Sequence, residues 1–307
     1  MPVLAQETVQ YLNLKPEGIY VDGTVGSGGH SQEILHHLPE KSHLICLDRD
    51  PDAVRISSGR FSSDHRVRFI RANFADLDTV MQELGISKIN GILLDLGMSS
   101  YQIEKSGRGF SFSREEPLDM RMNPDHKPTG DHLINTLSAL SLQTLLREYG
   151  EERRAKAFAR AIIRAREKGP IKTASQLAEI IEAAAPKSYG PWKRHPATKT
   201  FQALRIAVNK EMDNLEIFLH KIPSLMATGG RLVVISYHSL EDRQVKKAMV
   251  DWEKACICPP DFPVCACDKV PVFKRPFKNG RKPAQEEIQK NLRARSAIMR
   301  VAERISS

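Results

Sequence analysis

One segment sets the expected fold class: Ile19-Tyr20-Val21-Asp22-Gly23-Thr24-Val25-Gly26-Ser27-Gly28-Gly29-His30-Ser31. It predicts a short apolar strand ending in an acid, a turn with four glycines within seven residues, and a helix that begins at about Ser31. In α/β proteins this order of elements brings backbone amides close to a nucleotide-like ligand. Glycine is needed there because a Cβ would block the turn or the ligand.

Two features of this segment bear on which ligand it binds. A dinucleotide fingerprint needs a third glycine, but Gly26-x-Gly28 is followed by Ser31 at that place. The carboxylate of Asp22 would repel a pyrophosphate, whereas it would accept a hydrogen bond from an ammonium. S-adenosylmethionine carries an ammonium and a sulfonium and no phosphate. The segment therefore favours S-adenosylmethionine over NAD, and a glycine-rich turn without a ligand stays open as a third option.

Composition narrows the class of protein. The chain has 307 residues, of which 41% are hydrophobic, so it can form one large domain with an insertion or two domains. No apolar run reaches the ~18 residues of a membrane span, and the first ten residues lack the pattern of a secretory signal. We expect a cytoplasmic protein that does not enter a membrane and keeps its cysteines reduced. The net charge of +9 suggests a polyanionic partner.

Two further predicted strands also end in an acid. The segment 43–48 ends in Asp48, and the segment 92–95 ends in Asp95. Together with Asp22, these acids would lie at one edge of a parallel sheet, which is where ligands bind. Asp48 comes 19 residues after Gly29, a position suited to hold two ribose hydroxyls. Because both NAD and S-adenosylmethionine contain a ribose, Asp48 does not choose between them.

An aromatic residue follows another predicted strand. The segment 67–70 continues into Asn73-Phe74, where the Phe74 ring could lie against an adenine. A phenylalanine packed in the core explains the same position equally well.

The alternation of strands and helices stops after Asp95. Helices are predicted at 137–149, 151–168 and 173–185, and a further helix follows Pro196 with Phe201, Leu204, Val208, Met212, Leu215 and Leu219 on one face. Strands return at 229–236 and 296–302. We interpret 113–196 as a helical insertion that leaves the sheet at its ligand-binding edge, where it would form a lid or a substrate-recognition domain.

Positive charge is concentrated in this helical region. Arginines and lysines crowd the helix at 153–168, which is equally typical of a solvated surface helix. In the segment 187–199 basic residues alternate with Tyr189 and Trp192, a pattern suited to single-stranded RNA. The candidate RNA contacts are Lys193, Arg194, Lys199 and Arg205.

Four cysteines fall within twelve residues, namely Cys256, Cys258, Cys265 and Cys267. Four thiolates this close could hold zinc. However, C-x-C is not the usual spacing of a zinc knuckle, so we favour reduced cysteines in a loop and expect no metal.

Several longer motifs occur in a fixed order along the chain. They are Asp22-Gly-Thr-Val-Gly-Ser-Gly-Gly-His30, Leu47-Asp-Arg-Asp-Pro51, Leu93-Leu-Asp-Leu-Gly-Met-Ser-Ser100, Arg108-Gly-Phe-Ser-Phe112, Pro117-Leu-Asp-Met-Arg-Met122, Tyr149-Gly-Glu-Glu-Arg153, His195-Pro-Ala-Thr-Lys-Thr-Phe-Gln-Ala203 and His238-Ser-Leu-Glu-Asp-Arg243. Over nearly its whole length the chain resembles the small-subunit ribosomal RNA cytosine-N4 methyltransferases, the RsmH or MraW family.

The resemblance implies an α/β fold of the class I (Rossmann-like) S-adenosylmethionine-dependent methyltransferases with an inserted all-helical domain. The methyltransferase domain would comprise 1–112 and 197–307, and the insertion 113–196. It also implies methyl transfer to the exocyclic N4 of a cytidine in the decoding region of 16S rRNA, free or in the small ribosomal subunit. The implied cofactor contacts are Gly28, Gly29, His30, Asp48, Phe74, Asp95 and Gln102.

The reaction needs a hydrogen-bond acceptor for the amino group of the base. Asp95 and His238, both predicted at strand ends on the ligand-binding edge, are our candidates. An NAD-dependent oxidoreductase with a helical lid and a non-catalytic RNA-binding assembly factor are the competing functions. The sequence leaves the oligomeric state open, including a homodimer.

Overall fold

The computed structural model describes residues 2–186, 195–258, 267 and 269–305. Its strands are β1 (Ile19–Asp22), β2 (His43–Asp48), β3 (Val67–Arg71), β4 (Ile89–Asp95), β5 (Met226–Ser236), β6 (Phe273–Lys274) and β7 (Ile298–Arg304). Its helices are α1 (Ala5–Leu12), α2 (Gly29–His37), α3 (Pro51–Arg60), α4 (Leu77–Glu83), α5 (Ser100–Glu104), α6 (Gly130–Thr136), α7 (Ala139–Glu148), α8 (Ala155–Arg166), α9 (Ala174–Ala184), α10 (Thr198–Asn209), α11 (Glu211–Leu225), α12 (Ser239–Glu253) and α13 (Gln285–Lys290).

The strands form one sheet in the order β3-β2-β1-β4-β5-β7-β6. Strands β1 to β5 run parallel, whereas β7 is antiparallel to β5 and to β6. A parallel sheet with its first strand in the middle and one antiparallel strand near the edge is the Rossmann-like arrangement of class I methyltransferases. The predicted fold class is therefore confirmed.

Both faces of the sheet are covered. Along β2, Ile45 and Leu47 pack into one hydrophobic cluster, while Leu44 and Cys46 pack into another. Successive side chains of a strand point to opposite faces, so a strand buried on both sides is apolar at every position. This explains why the central strands have continuous apolar sequences up to their terminal acids.

The chain divides into two compact units, one made of 1–97 and 212–307 and the other of 98–211. The second unit is helical and has its own core, to which Phe158, Ile162 and Leu177 contribute buried side chains. This unit covers a longer range of residues than the predicted insertion at 113–196. The reason is that Phe110 and Phe201, on either side of that range, are buried in the same core. The role of this unit in substrate recognition stays a prediction.

The helix predicted after Pro196 is two helices rather than one. Between α10 and α11 the backbone of Lys210 adopts the left-handed conformation, with φ of 49°, which ends α10. The apolar spacing of the two helices happens to continue across this break, so periodicity alone did not reveal it. Among the described helices, none is long and apolar enough to cross a lipid bilayer.

Candidate active site

Three acidic residues lie at the carboxyl ends of neighbouring parallel strands. In the register of the sheet, Asp22 of β1 pairs with Cys46 of β2 on one side and with Leu93 of β4 on the other. Asp48 and Asp95 are each two residues further along their strands. The predicted gathering of these acids at one edge of the sheet is therefore present.

Asp22 holds the glycine-rich turn in place. Its side chain is fully buried, Oδ2 accepts a hydrogen bond of 2.6 Å from Ser31 Oγ, and Oδ1 accepts one of 3.2 Å from Thr24 N. Burial raises the pKa of this carboxyl, while the hydrogen bond from Ser31 opposes the rise. These contacts give Asp22 a structural role, in place of the contact with a ligand ammonium considered from the sequence.

The turn itself approaches its surroundings too closely for a side chain. Gly28 has φ of +78°, and a Cβ at this position would lie 2.7 Å from the ring of Phe61. Gly29 is the first residue of α2, so the turn leads directly into the N-terminus of a helix. Such a helix terminus presents backbone N–H groups that lack partners within the helix. The implied contact of Gly28 and Gly29 with a cofactor stays a prediction.

Asp48 connects the end of β2 to the same turn. Its Oδ2 accepts a hydrogen bond of 2.9 Å from Gly26 N, and its Oδ1 accepts one of 2.9 Å from Asp50 N. Burial raises its pKa to about 6, against the effect of these two hydrogen bonds. Each carboxylate oxygen retains further acceptor capacity. The residue as a whole is not fully enclosed, so ribose hydroxyls could reach this carboxylate and donate to it.

Asp95 is held by three neighbours at the end of β4. Tyr237 Oη donates a hydrogen bond of 2.8 Å to Asp95 Oδ1. The backbone N–H of Asp95 donates one of 2.7 Å to Thr24 Oγ1. Its Oδ2 lies 3.4 Å from Nε2 of His30. The Asp95 side chain is 25% exposed, which leaves it accessible to a ligand.

The pKa values of His30 and Tyr237, the two side chains beside this carboxylate, are both raised. His30 is buried, and its ring nitrogens have no hydrogen-bond partner among the described residues. Burial lowers the pKa of His30, but the adjacent Asp95 carboxylate, together with Asp22 and Glu33, raises it overall. Burial and the same carboxylate raise the pKa of Tyr237 well above its usual range, so its hydroxyl remains a donor at neutral pH.

Sequence reasoning did not identify Tyr237 as a site residue. Tyr237 follows Asp95 by 142 positions in the sequence, and the two residues meet only because β4 pairs with β5. The signal available was its position directly after β5, where a side chain must lie at the same edge of the sheet.

His238 caps the N-terminus of α12. Its Nδ1 accepts a hydrogen bond of 3.4 Å from Glu241 N, and Oε2 of Glu241 accepts one of 3.3 Å from His238 N. Its Nε2 lies 3.0 Å from the other oxygen of Glu241. A ring that accepts through Nδ1 carries its proton on Nε2. These contacts are structural, and a role of His238 as proton acceptor stays a prediction.

Phe74 lies after β3 and begins a short 3₁₀ turn. Its ring packs edge-on against Phe218 of α11, with the ring centroids 5.6 Å apart. The ring is partly exposed, so one part of it belongs to the core and the rest is accessible. The two sequence interpretations of Phe74, as core and as stacking surface, are compatible.

Gln102 belongs to the second unit. Its Oε1 accepts a hydrogen bond of 3.0 Å from Ser99 N, while its own N–H donates to Ser99 Oγ at 3.2 Å. This capping box begins α5. The implied contact of Gln102 with a cofactor stays a prediction.

The structure places two of the candidate RNA contacts of the second unit in different environments, and the other two lie outside the described residues. Lys193 and Arg194 lie outside the described residues. Lys199 is exposed and donates its Nζ to the carbonyl oxygen of Glu151 at 2.7 Å. Arg205 is only 9% exposed, and its guanidinium forms two hydrogen bonds of 2.9 and 2.8 Å with the carboxylate of Glu211. A guanidinium buried in an ion pair does not fit the predicted contact with phosphate, so we no longer assign Arg205 to the RNA.

Helix α8 has a basic outer face. Phe158 and Ile162 are buried, whereas the exposed residues at and beside the helix include Arg153, Arg154, Lys156, Arg160, Arg164 and Lys168. Arg166 instead donates to the carbonyl oxygens of Ile134 and Leu137, at 2.8 and 2.7 Å, and stabilises the packing of the unit. The exposed cations of α8 are therefore available to a polyanion.

The residues of the sheet edge fit S-adenosylmethionine. The glycine-rich turn brings backbone to the sheet edge, Asp48 offers a fixed carboxylate to the ribose, and the buried Nδ1 of His30 has no hydrogen-bond partner among the described residues. Partly exposed carboxylates also suit a ligand that carries positive charge.

Comparison with known proteins agrees with this geometry. A model of the MraW methylase family matches residues 1–305. The chain is 45% identical to ribosomal RNA small subunit methyltransferase H of Heliobacterium modesticaldum, over 99% of this chain and 98% of that protein. It is 43% identical to the protein of the same name from Lachnospira eligens, over 99% and 96% of the two chains.

Among solved structures, the chain is similar in outline to an rRNA methylase from Streptococcus thermophilus. The TM-score is 0.46 at 12% identity, covering 98% of this chain and 95% of that one. The evidence for the fold remains the strand order and register described above.

Proposed function

Because the chain belongs to the MraW methylase family, we propose that it methylates the exocyclic N4 of a cytidine in the decoding region of 16S rRNA. Its cofactor is S-adenosylmethionine, which supplies a methyl group on a sulfonium. The relatives named above are small-subunit rRNA methyltransferases, which supports a ribosomal substrate. The cytosine-N4 position and the decoding region come from the motif resemblance.

One observation carries the chemical part of the proposal: the accessible Asp95 carboxylate, fixed by Tyr237 and placed beside His30. The N4 amine of cytosine is a poor nucleophile because its lone pair is delocalised into the ring. A carboxylate that accepts a hydrogen bond from this amine localises the lone pair and then takes up the proton that leaves. A cysteine nucleophile is not needed, since the amine attacks the methyl group directly.

The cofactor-binding role falls to residues around the glycine-rich turn. Gly28 and Gly29 would bring the backbone close to the cofactor, Asp48 would accept hydrogen bonds from the ribose, and Phe74 would cover the adenine. Asp95 would serve the acceptor amine. Correct positioning of reactants can lower a barrier by about 7–11 kcal/mol in favourable systems, and the rigid sheet edge is suited to that task.

The substrate base must be unpaired or extruded to reach such a site. The exposed cations of α8 and the segment 187–199 would bind phosphates of the RNA, and either free rRNA or the small subunit could be the form that binds. A substrate of this kind implies a cytoplasmic enzyme.

The oxidoreductase alternative has lost its support. The third glycine of the dinucleotide fingerprint is missing, and the family is one of methylases. A non-catalytic RNA-binding factor with a vestigial pocket remains the competing hypothesis.

A methyl-transfer assay separates these possibilities. The purified protein is incubated with radiolabelled S-adenosylmethionine and either small ribosomal subunits or free 16S rRNA. Nuclease digestion and mass spectrometry then identify the methylated nucleoside and its position. We expect N4-methylcytidine at a single site in the decoding region.

The control is the same assay with Asp95→Asn protein that still binds S-adenosylhomocysteine. Methylation at cytosine C5, or on another base, would contradict the N4 assignment. Absence of transfer to both substrates, with intact cofactor binding, would favour the non-catalytic factor.

A further inference from the structure

Three cysteines that the proposed methyl transfer does not use lie together in the loop between α12 and β6. The sulfur atoms of Cys256, Cys258 and Cys267 are all within 4.8 Å of one another. Those of Cys256 and Cys267 are 3.7 Å apart, and the described cysteines are thiols rather than disulfides. A disulfide would require about 2.05 Å between sulfurs. Two thiolates bound to one tetrahedral zinc at about 2.3 Å are about 3.8 Å apart.

Backbone amides are directed at two of these sulfurs. Ile257 N donates to Cys267 Sγ at 3.4 Å, and Cys258 N donates to Cys256 Sγ at 3.3 Å. Hydrogen bonds to the charged form of a group favour that form, and the thiolate is the form that binds metal. Such contacts from outside the coordination sphere orient the ligands of metal sites.

The described residues of this loop have little apolar packing. Ile257 and Val270 are 62% and 65% exposed, and none of its described residues between 254 and 271 belongs to a hydrophobic cluster. Its two ends are anchored, because Val272 N donates to the carbonyl of Trp252 at 2.9 Å and Trp252 packs on Phe273. In short segments without a core, bound metal supplies folding free energy.

We propose that Cys256, Cys258 and Cys267 bind a structural zinc ion that closes this loop. Each thiol loses its proton to solvent as the ion binds, and no change of oxidation state occurs. Zinc in proteins takes four ligands, of which the described residues supply three. Cys265 precedes Cys267 by two positions and lies outside the described residues. The proposal is independent of the methyl-transfer function.

Metal analysis of the full chain tests it. Protein purified without chelators is analysed by inductively coupled plasma mass spectrometry, and we expect about one zinc per chain. Cys256→Ser and Cys267→Ser proteins should lose most of it. Cys46→Ala is the matched control, because Cys46 is buried in the sheet core and should leave the zinc content unchanged.

Cobalt substitution identifies the ligands. Cobalt added to metal-free protein should give the visible absorption of tetrahedral coordination and a sulfur-to-metal charge-transfer band. Both should weaken in the two serine variants and persist in the Cys46→Ala protein. Far-ultraviolet circular dichroism of each variant establishes that the sheet domain remains folded.

Proteolysis gives a further readout. Lys254 and Lys269 flank the cluster, and trypsin should cleave after them several-fold faster once the metal is removed. The proposal is overturned if folded wild-type protein takes up neither zinc nor cobalt, or if both serine variants retain the metal. A native mass two hydrogens lower, from a disulfide between Cys256 and Cys267, would overturn it as well.

Discussion

The sheet edge and the helical unit hold their charged side chains in opposite ways. At the sheet edge, Asp48 and Asp95 are fixed by neighbouring groups and remain partly exposed. In the helical unit, the guanidinium of Arg205 is paired with the carboxylate of Glu211, whereas the cations of α8 are exposed to solvent. Charge that is fixed by neighbouring groups and accessible indicates chemistry, whereas exposed surface charge indicates at most a polyanionic partner. The following predictions test this distinction, beginning with the largest effect.

Asp95→Asn should lower methyl transfer in single-turnover assays by about 10²–10⁴-fold, the usual contribution of a positioned acid or base. Binding of S-adenosylhomocysteine, measured by calorimetry, should change much less. The matched control is Asp78→Asn, which removes a surface ion pair with Lys221. Near-normal turnover of the Asp95 variant would remove this residue from the chemistry.

Arg205→Ala should destabilise the protein by about 3–5 kcal/mol, because it leaves the carboxylate of Glu211 buried without its partner. Thermal and denaturant unfolding measure the loss. The double variant Arg205→Ala with Glu211→Ala should recover part of it. If Arg205→Ala instead leaves stability intact and weakens RNA binding, our assignment of this residue to the interior role is wrong.

Asp48→Asn should weaken binding of S-adenosylhomocysteine by about 10²-fold, since charge-assisted hydrogen bonds contribute about 1.5–3 kcal/mol each. Asp52→Asn, in the first turn of α3, is the control.

The raised pKa of Asp48 also predicts a pH dependence. The carboxyl, with a pKa of about 6 in the free protein, takes up a proton as the pH falls through that value and then no longer accepts from both hydroxyls. Calorimetry should show a constant affinity above pH ~6.5 and a decline below pH ~6. In Asp48→Asn protein this decline should be absent; its persistence would assign it to another group, such as His30.

Tyr237→Phe should lower the turnover number about tenfold with a smaller change in KM, because Asp95 loses the donor that orients it. Tyr11→Phe, whose ring packs on Phe277, is the control. A loss of thermal stability that accounts for the fall in turnover would indicate a packing role only.

Lys193→Ala combined with Arg194→Ala should weaken RNA binding a few-fold and lower the salt slope of the binding constant by about 1.4, or about 0.7 for each single-stranded phosphate contact. Lys156→Ala with Arg160→Ala on α8 makes the parallel comparison. Filter binding over a range of salt concentrations measures both. An unchanged slope would remove the segment from the path of the RNA.

The two regions also differ in how far sequence alone could predict them. Asp22, Asp48 and Asp95 end apolar strands that are separated by helices, and parallel strands leave only one edge for such ends. Fold and site position follow from that regularity. The Tyr237–Asp95 contact depends on which strands pair, and the burial of Arg205 depends on a break at Lys210 that has no glycine or proline signal. Contacts of this kind leave no periodic pattern in the sequence from which they could be predicted.

Burial of Cys46 has a practical consequence. Desolvation and the nearby Asp22 hold the pKa of its thiol well above the usual range. At neutral pH this thiol should therefore be almost inert to alkylating reagents. Every rapidly labelled sulfur in the folded protein then reports on the loop after α12, and Cys46, labelled only on unfolding, provides an internal standard within the same polypeptide.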